Sequence, residues 1–329
     1  MNKTSTNKVK DFLINNGVIL IMVILVLYTS IARDNFFSPN NLLNILMNMS
    51  ARIVVALGIA GCVITGGTDL SAGRMIGFAG CLSAALLQKI DAPSKLFVGM
   101  EPLNIFVALL VVMCVCAIFG AVSGFFIAYL QLPPFIATLA MMQIIYGTSM
   151  IFTGAKPLGG YVKEYTNIAS GRFLGLSYLI WIAILVIAVT WFIFNMTRHG
   201  KYMYAIGGNS QAAEVAGVPV KKTMVLIYAK AAAMYALAGF MFGAKSGGAS
   251  VNLGLSYEMD AIAACTIGGV SVTGGRGKVS SAIIGVAVLE LLKTALQFLG
   301  VDQNAQWIAT GVIIFLAVSL DIRKYIAKK

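Results

Sequence analysis

The sequence predicts an all-α fold: a polytopic transmembrane helical bundle of about ten spans, with both termini cytoplasmic. Three observations lead there. Hydrophobic residues make up 59% of the chain, charged residues only 11%, and the mean hydropathy is +0.88. A soluble domain carries roughly a quarter charged side chains, so this chain lacks the polar groups to cover a water-facing surface. Apolar runs of bilayer-crossing length, about 17–25 residues, recur from end to end. Lys and Arg gather in alternate connections, as they do on the cytoplasmic side of membrane proteins. A single membrane domain over residues 1–329 accounts for the whole length.

The first apolar run covers about 14–32, behind Lys3, Lys8 and Lys10. Ser30-Ile31-Ala32 resembles a signal-peptidase site, but the many spans that follow favour a retained helix that starts insertion. An amphipathic stretch, Asn40–Ser50, precedes a second span at about 52–66. Further spans fall at about 74–90, 104–130, 134–153, 178–196, 223–245, 258–273, 279–299 and 305–322. The second and eighth are short and broken by glycine. With the N-terminus inside, the cytoplasmic face receives the Lys3–Lys10 cluster, Arg74, the cations of 198–222, Arg276, Lys278 and the tail from Arg323. The outer face receives fewer cations and Asp34, Asp91, Glu101, Glu164 and Asp302. Gly73/Gly77, Gly120/Gly124 and Gly239/Gly243 stand four apart, the spacing that lets helices approach closely in lipid.

Gly66-Gly67-Thr68-Asp69-Leu70-Ser71-Ala72-Gly73-Arg74 can be laid over Gly268-Gly269-Val270-Ser271-Val272-Thr273-Gly274-Gly275-Arg276. Paired glycine-broken segments point to a transport pathway; chance likeness of glycine-rich turns is the plainer account. The span count makes the two segments parallel rather than inverted.

The connection at about 198–222 differs from the others. Arg198 and Lys201 precede it and Lys221 and Lys222 follow, which puts it on the cytoplasmic side. Between them Gly207 and Gly208 lead into Asn209 or Ser210 as an N-cap, then Gln211, Ala212, Ala213 and Glu214, with Gly217 at the C-terminal end. A short capped helix with two small alanines side by side offers a knob to the groove of a soluble partner. The lone His199 reads as part of the positive flank.

No enzyme constellation is present: one histidine, no paired metal ligands, no nucleophile elbow. Gly274-Gly275-Arg276-Gly277-Lys278-Val279 lacks the glycine spacing of a phosphate loop, and Val279 stands where Ser or Thr would hold magnesium. The chain therefore has no nucleotide site and no cofactor of its own, and any ATP is hydrolysed elsewhere. The net charge of +12 sits at loops and termini, which fits orientation in the membrane and anionic lipid headgroups, not nucleic acid. Cys62, Cys81, Cys114, Cys116 and Cys265 lie in or beside apolar segments and read as buried thiols.

Charges inside spans are functional candidates. Asp69 sits in the Gly-Gly-Thr-Asp-Leu-Ser turn, where helix capping through Thr68, Asp69 or Ser71 is the structural reading. Arg52 opens the second span and Lys230 lies about two turns into the seventh. Glu290 and Lys293 are three apart and are expected to pair with each other. Uncharged groups in or near spans, Asn44, Asn48, Thr65, Gln143, Tyr146, Thr148 and Gln297, suit a hydroxyl-rich ligand or helix–helix hydrogen bonding. Asn44, Asn48, Thr65, Asp69, Ser71, Gln143, Tyr146 and Asp260 are the candidate pathway and gating set.

Gln211-Ala212-Ala213-x-x-x-Gly217 resembles the Glu-Ala-Ala-x-x-x-Gly loop of ATP-binding-cassette importer permeases, with Gln in place of Glu. The blocks Gly66–Gly73, Pro134–Leu139 and Tyr257–Ala264, the last continued by Gly268–Ser271, resemble in order those of the ribose/galactose-type permeases, and most of all their galactose/methyl-galactoside branch. The resemblance implies a homodimer in the bacterial inner membrane, with the pathway at or near the dimer axis. It further implies a separate ATPase subunit that carries ATP and magnesium and seats the 207–217 loop, and a periplasmic or lipid-anchored sugar-binding protein on the outer face. An ion-gradient-driven secondary transporter, and a permease for another sugar or a branched-chain amino acid, are the alternatives.

Overall fold

The computed structural model describes residues 20–326; the Lys3–Lys10 cluster, the start of the first span, the signal-peptide question and residues 327–329 lie outside them. Every expected span falls on a helix. In chain order these are α1 (Leu20–Ala32), α2 (Pro39–Ile64), α3 (Ala72–Leu87), α4 (Ile105–Tyr129), α5 (Pro134–Thr153), α6 (Lys163–Ser170), α7 (Tyr178–Met196), α8 (Arg198–Gly208), α9 (Ser210–Val215), α10 (Val220–Ser246), α11 (Tyr257–Gly268), α12 (Val279–Phe298) and α13 (Gln303–Ile326). Among the described residues six of them, α2, α4, α5, α7, α10 and α12, are long and apolar enough to cross a membrane, while α1 and α3 are shorter apolar helices. Two minimal antiparallel pairs staple one end of the bundle: β1 (Leu158–Gly159) with β4 (Gly248–Ala249), and β2 (Arg172–Phe173) with β3 (Leu176–Ser177).

Three expectations are corrected. The amphipathic stretch at 40–50 and the second span are one continuous helix, α2: Ser38 caps it by accepting from the Asn41 N–H at 3.3 Å, Pro39 follows at the first helical position, and nothing breaks it before Thr65. Arg52 therefore sits mid-helix instead of opening a span. The eighth segment stops at Gly268, because Gly269 adopts φ +99°, a left-handed cap that glycine tolerates. Arg74, expected on a cytoplasmic loop, lies inside the bundle, where its guanidinium stacks 4.2 Å from the Tyr146 ring and donates to Asn252 Oδ1 at 2.8 Å.

α2 is the core helix, with 78% of its apolar window buried, against 22% for α4. α4, α5 and α7 are apolar on nearly all sides, and Phe106, Leu110, Ile151, Leu185 and Phe192 face outward, the arrangement of helices bordered by hydrocarbon. Close packing runs through the small-residue pairs: a Cβ at Gly120 would strike Ala232 Cβ at 2.5 Å, and one at Gly124 would strike Val225 Cα at 2.7 Å, so α4 lies directly on α10. Four of the five cysteines are buried, whereas Cys114 is exposed on α4.

The segments that mirror each other differ from the pair seen in the sequence. Residues 66–71 turn back into the bundle and lead into the short α3; residues 250–256 turn in from the opposite end and lead into the short α11. The two pack antiparallel, Gly77 against Val251 and Gly73 against Gly254 and Glu258. Gly268–Arg276 instead ends α11. A Gly73→Val side chain would push into the Gly254 backbone and the Glu258 carboxylate. Its expected cost is ~1–3 kcal/mol or more, as for an overpacked core, checked by the melting temperature of the purified protein.

Candidate functional site

A polar vestibule of about 930 Å³ opens toward the end of the bundle that holds the N-terminus of α2 and the α12–α13 turn. Its walls are stripes at helical spacing: Asn48 and Arg52 on α2, Tyr257 and Asp260 at the start of α11, and Glu290, Lys293 and Gln297 on α12. Gln303, Gln306, Trp307 and Thr310 complete it on α13. The segment from Asn252 to Ser256 closes the side.

At its floor four charges meet from three helices. Arg52 reaches Asp260 Oδ2 with Nη1 at 3.3 Å and Glu290 Oε2 with Nε at 3.1 Å. Lys293 reaches the same Asp260 oxygen at 2.5 Å. The expected Glu290–Lys293 pair is thus replaced: each finds its partner on another helix, because α12 presents both to α2 and α11. The Arg52 guanidinium also lies 4.9 Å over the Tyr257 ring. Two cations and two carboxylates cancel. The Arg52–Glu290 contact is an ion pair without hydrogen-bond geometry, and Glu290 is 4% exposed. One turn above, Lys245 donates to Asn48 Oδ1. Below the cluster only a void of about 20 Å³ remains between Ala261, Ala264, Val286 and Leu289. The vestibule is closed at that level.

A second site lies at the other end. α8 and α9 form the body of the 198–222 connection; Thr197 caps α8 by accepting from Gly200 N–H at 3.3 Å, and Asn209 caps α9 by accepting from Ala212 N–H at 2.9 Å. Gly217 at φ +83° ends the unit. The Gly275 N–H donates to Ile64 O at 2.8 Å, and Tyr204 Oη donates to Gly277 O at 2.8 Å. A Cβ at Gly207 would overlap the Ile64 carbonyl and stand 2.6 Å from Gly275 N, whereas one at Gly208 would meet nothing within 4 Å. The end of α2, the α11–α12 loop and α8 therefore share one glycine junction. α2 and α11 each run from this junction to the charge cluster.

Of the eight candidate pathway residues, the structure brings Asn48 and Asp260 into the vestibule. Asn44 is exposed on α2 and Gln143 on α5; Tyr146 holds Arg74. Thr65 lines a cavity of about 230 Å³ beside Ser210 and Glu214. Asp69 is 1% exposed, and its Oδ1 accepts from Ser71 N–H at 3.0 Å and Ser71 Oγ at 2.6 Å; this is a closed turn ahead of α3 and not the expected helix cap, because Ser71 at the N-cap position makes no side-chain cap hydrogen bond. In the connecting loop Gln211, Ala212 and Glu214 are exposed, but Ala213 is buried against this chain, so the two alanines do not form one outward knob. Val215, which the sequence reading passed over, is 90% exposed. The α13 stripe was also passed over; its signal was polar residues at i, i+3, i+4 and i+7 on a helix bordering lipid.

His199 corrects a further expectation. Burial, together with the nearby Lys230 charge, lowers its pKa from 6.5 to about 4, so it is neutral at pH 7 and adds nothing to the positive flank. Between pH 6.5 and about 4 the unfolded chain takes up a proton that the folded chain refuses, so stability falls with pH across that window. Imidazole-detected NMR of this single histidine should give a midpoint near 4. A His199→Gln variant should lose its share of the pH slope.

An apolar bundle with a closed polar vestibule at one end and a capped, helix-bearing loop at the other defines a membrane transport component, a multi-pass permease. The chain belongs to the family described as branched-chain amino acid transport system / permease component, whose model matches residues 41–318. The galactose/methyl galactoside import permease protein of Escherichia coli is 41% identical over 325 residues, 97% of each chain. That of Haemophilus influenzae is 41% identical over 337 residues, all of both chains. The ribose import permease protein of Escherichia coli is 33% identical over 319 residues, 96% of each chain. No solved structure matches.

Proposed function

We propose that this chain is the membrane subunit of an ATP-binding-cassette importer for a monosaccharide of the galactose/methyl galactoside class, working as a homodimer in the bacterial inner membrane. The observation that carries this reading is the 41% identity, over 97% of both chains, to a permease of that name. The chain crosses the membrane about ten times with both termini cytoplasmic. The concentration of Arg198, Lys201, Lys221, Lys222, Arg276 and Lys278 around the glycine junction supports that orientation. A separate ATPase, holding ATP and magnesium, seats the exposed face of α9, where Gln211, Ala212, Glu214 and Val215 point outward. A periplasmic or lipid-anchored binding protein delivers sugar to the vestibule end.

The geometry supports a coupling path. A push on α8 reaches the ends of α2 and α11 through Gly207, Gly275 and Tyr204. These two helices hold opposite partners of the ion cluster, Arg52 and Asp260, so sliding one past the other separates the pair and opens the floor. Nucleotide binding biases the pore only through such contacts that differ between its two states.

The family description favours a second reading, a branched-chain amino acid as cargo. A zwitterion needs one free cation and one free carboxylate, and the four vestibule charges are already matched with each other. Ion-gradient drive finds little support, since Asp69 is locked in its turn and Asp260 and Glu290 are ion-paired. The test is uptake of labelled galactose, and separately leucine, into proteoliposomes with and without the ATPase and binding protein. Galactose uptake that needs both partners and ATP is expected. Leucine uptake alone, or ion-driven uptake by this chain by itself, overturns the reading.

A further inference from the structure

We infer that the vestibule is a sugar-recognition site of this chain itself, in which a neutral, hydroxylated ring hydrogen-bonds to the amides of the wall and lays an apolar face on Trp307. The inference rests on the sugar-import reading and adds to it a place where the cargo halts inside the membrane subunit. Three independent features of the site point to such a ligand.

The first is a charge balance. Glu290, 4% exposed, has Arg52 Nε 3.1 Å from its Oε2, and Asp260 Oδ2 is held by Arg52 and Lys293, so two cations and two carboxylates on the vestibule floor match one another. A sugar hydroxyl hydrogen-bonds beside such a cluster without adding charge to it. A cationic ligand would upset the balance of two positive and two negative groups, and an anionic one would compete with Asp260 for Arg52 and Lys293.

The second is the pairing of amides with an aromatic face. Asn48 and Asn252 bring amide donors, their Oδ1 atoms being held by Lys245 and Arg74; Gln306 brings an acceptor, its Nε2 donating to Val301 O; and Gln297 brings both, matching hydroxyls that both donate and accept. Arg52 covers the Tyr257 ring. Trp307, 61% exposed, is the free platform.

The third is the floor. The vestibule, about 930 Å³, is of the size that holds a small-molecule ligand. The void beneath the cluster, about 20 Å³, has room for about one water. A sugar entering from the open end stops at the ion cluster until α2 and α11 move.

The test uses the full-length chain in lipid nanodiscs without ATPase or binding protein. The chain has three tryptophans, so a Trp181→Phe/Trp191→Phe background leaves Trp307 as sole emitter. Titration with galactose should give a saturable change in emission, and titration with leucine none. Calorimetry should show binding weakened by about tenfold or more in Trp307→Leu and in Gln297→Ala, the scale of one lost stacking face or hydrogen bond. The rim variant Gln297→Ala keeps the site testable if Trp307→Leu misfolds. A chain that binds no galactose while the complete importer transports it overturns this inference and leaves the import reading standing. Undiminished binding in both Trp307→Leu and Gln297→Ala overturns the location. A complete importer that moves no sugar overturns the import reading itself.

Discussion

A Gly207→Val variant is expected to lose most sugar uptake while a Gly208→Val variant keeps it. The two glycines are neighbours, and nothing in their local chemistry separates them. In the junction, however, a side chain at Gly207 would drive into the carbonyl of Ile64 and stand 2.6 Å from Gly275 N, whereas Gly208 faces open space. Valine at 207 must pry α8 from the end of α2 and strain the Gly275–Ile64 hydrogen bond. Overpacking of this kind costs ~1–3 kcal/mol. If that energy falls on the coupling between loop and pore, transport drops by roughly 5–150-fold. ATP hydrolysis and uptake, measured together in proteoliposomes at equal protein content, check this: hydrolysis should survive in both variants and uptake only in Gly208→Val. Equal uptake in the two would refute the junction as the route of coupling. Ala213→Arg, by contrast, acts on internal packing and tells little about docking, because Ala213 is 5% exposed. Val215→Asp, on the exposed tip, is the change that addresses the ATPase contact.

The second large effect belongs to Arg52. Removing it as Arg52→Ala takes from Glu290, 4% exposed, the cation it pairs with, and leaves Asp260 to Lys293 alone. Deleting one partner of a buried ion pair costs about 3–5 kcal/mol, chiefly because the other charge is stranded. Thermal unfolding in detergent should therefore shift down strongly. Adding Glu290→Gln to the same chain removes the stranded charge and should restore a large part of the loss. A double variant no more stable than Arg52→Ala would mean that the cluster's energy lies elsewhere.

Much of this architecture was legible without coordinates, for a local reason. Hydropathy, caps and glycine stops act within a few residues, so the helical segments, the Asn209 cap and the Gly217 end could all be read along the chain. The blocks around Gly66, Pro134, Tyr257 and the 211–217 loop likewise sufficed to give the family. What could not be read is whatever joins distant segments. Arg52 and Asp260 are 208 positions apart, and no periodicity pairs them. Glu290 and Lys293 stand one turn apart and looked like partners, yet both turn toward other helices. Nor does sequence say which of two adjacent glycines touches a neighbour, or that Ala213 faces inward while Val215 faces out. The sequence by itself determined a helical membrane permease and the short capped helix in its 198–222 connection, because bilayer length and capping are local constraints. Only the tertiary structure decided where the charges cancel and which backbone contact joins α8 to the ends of α2 and α11, because those follow from how helices close around one another.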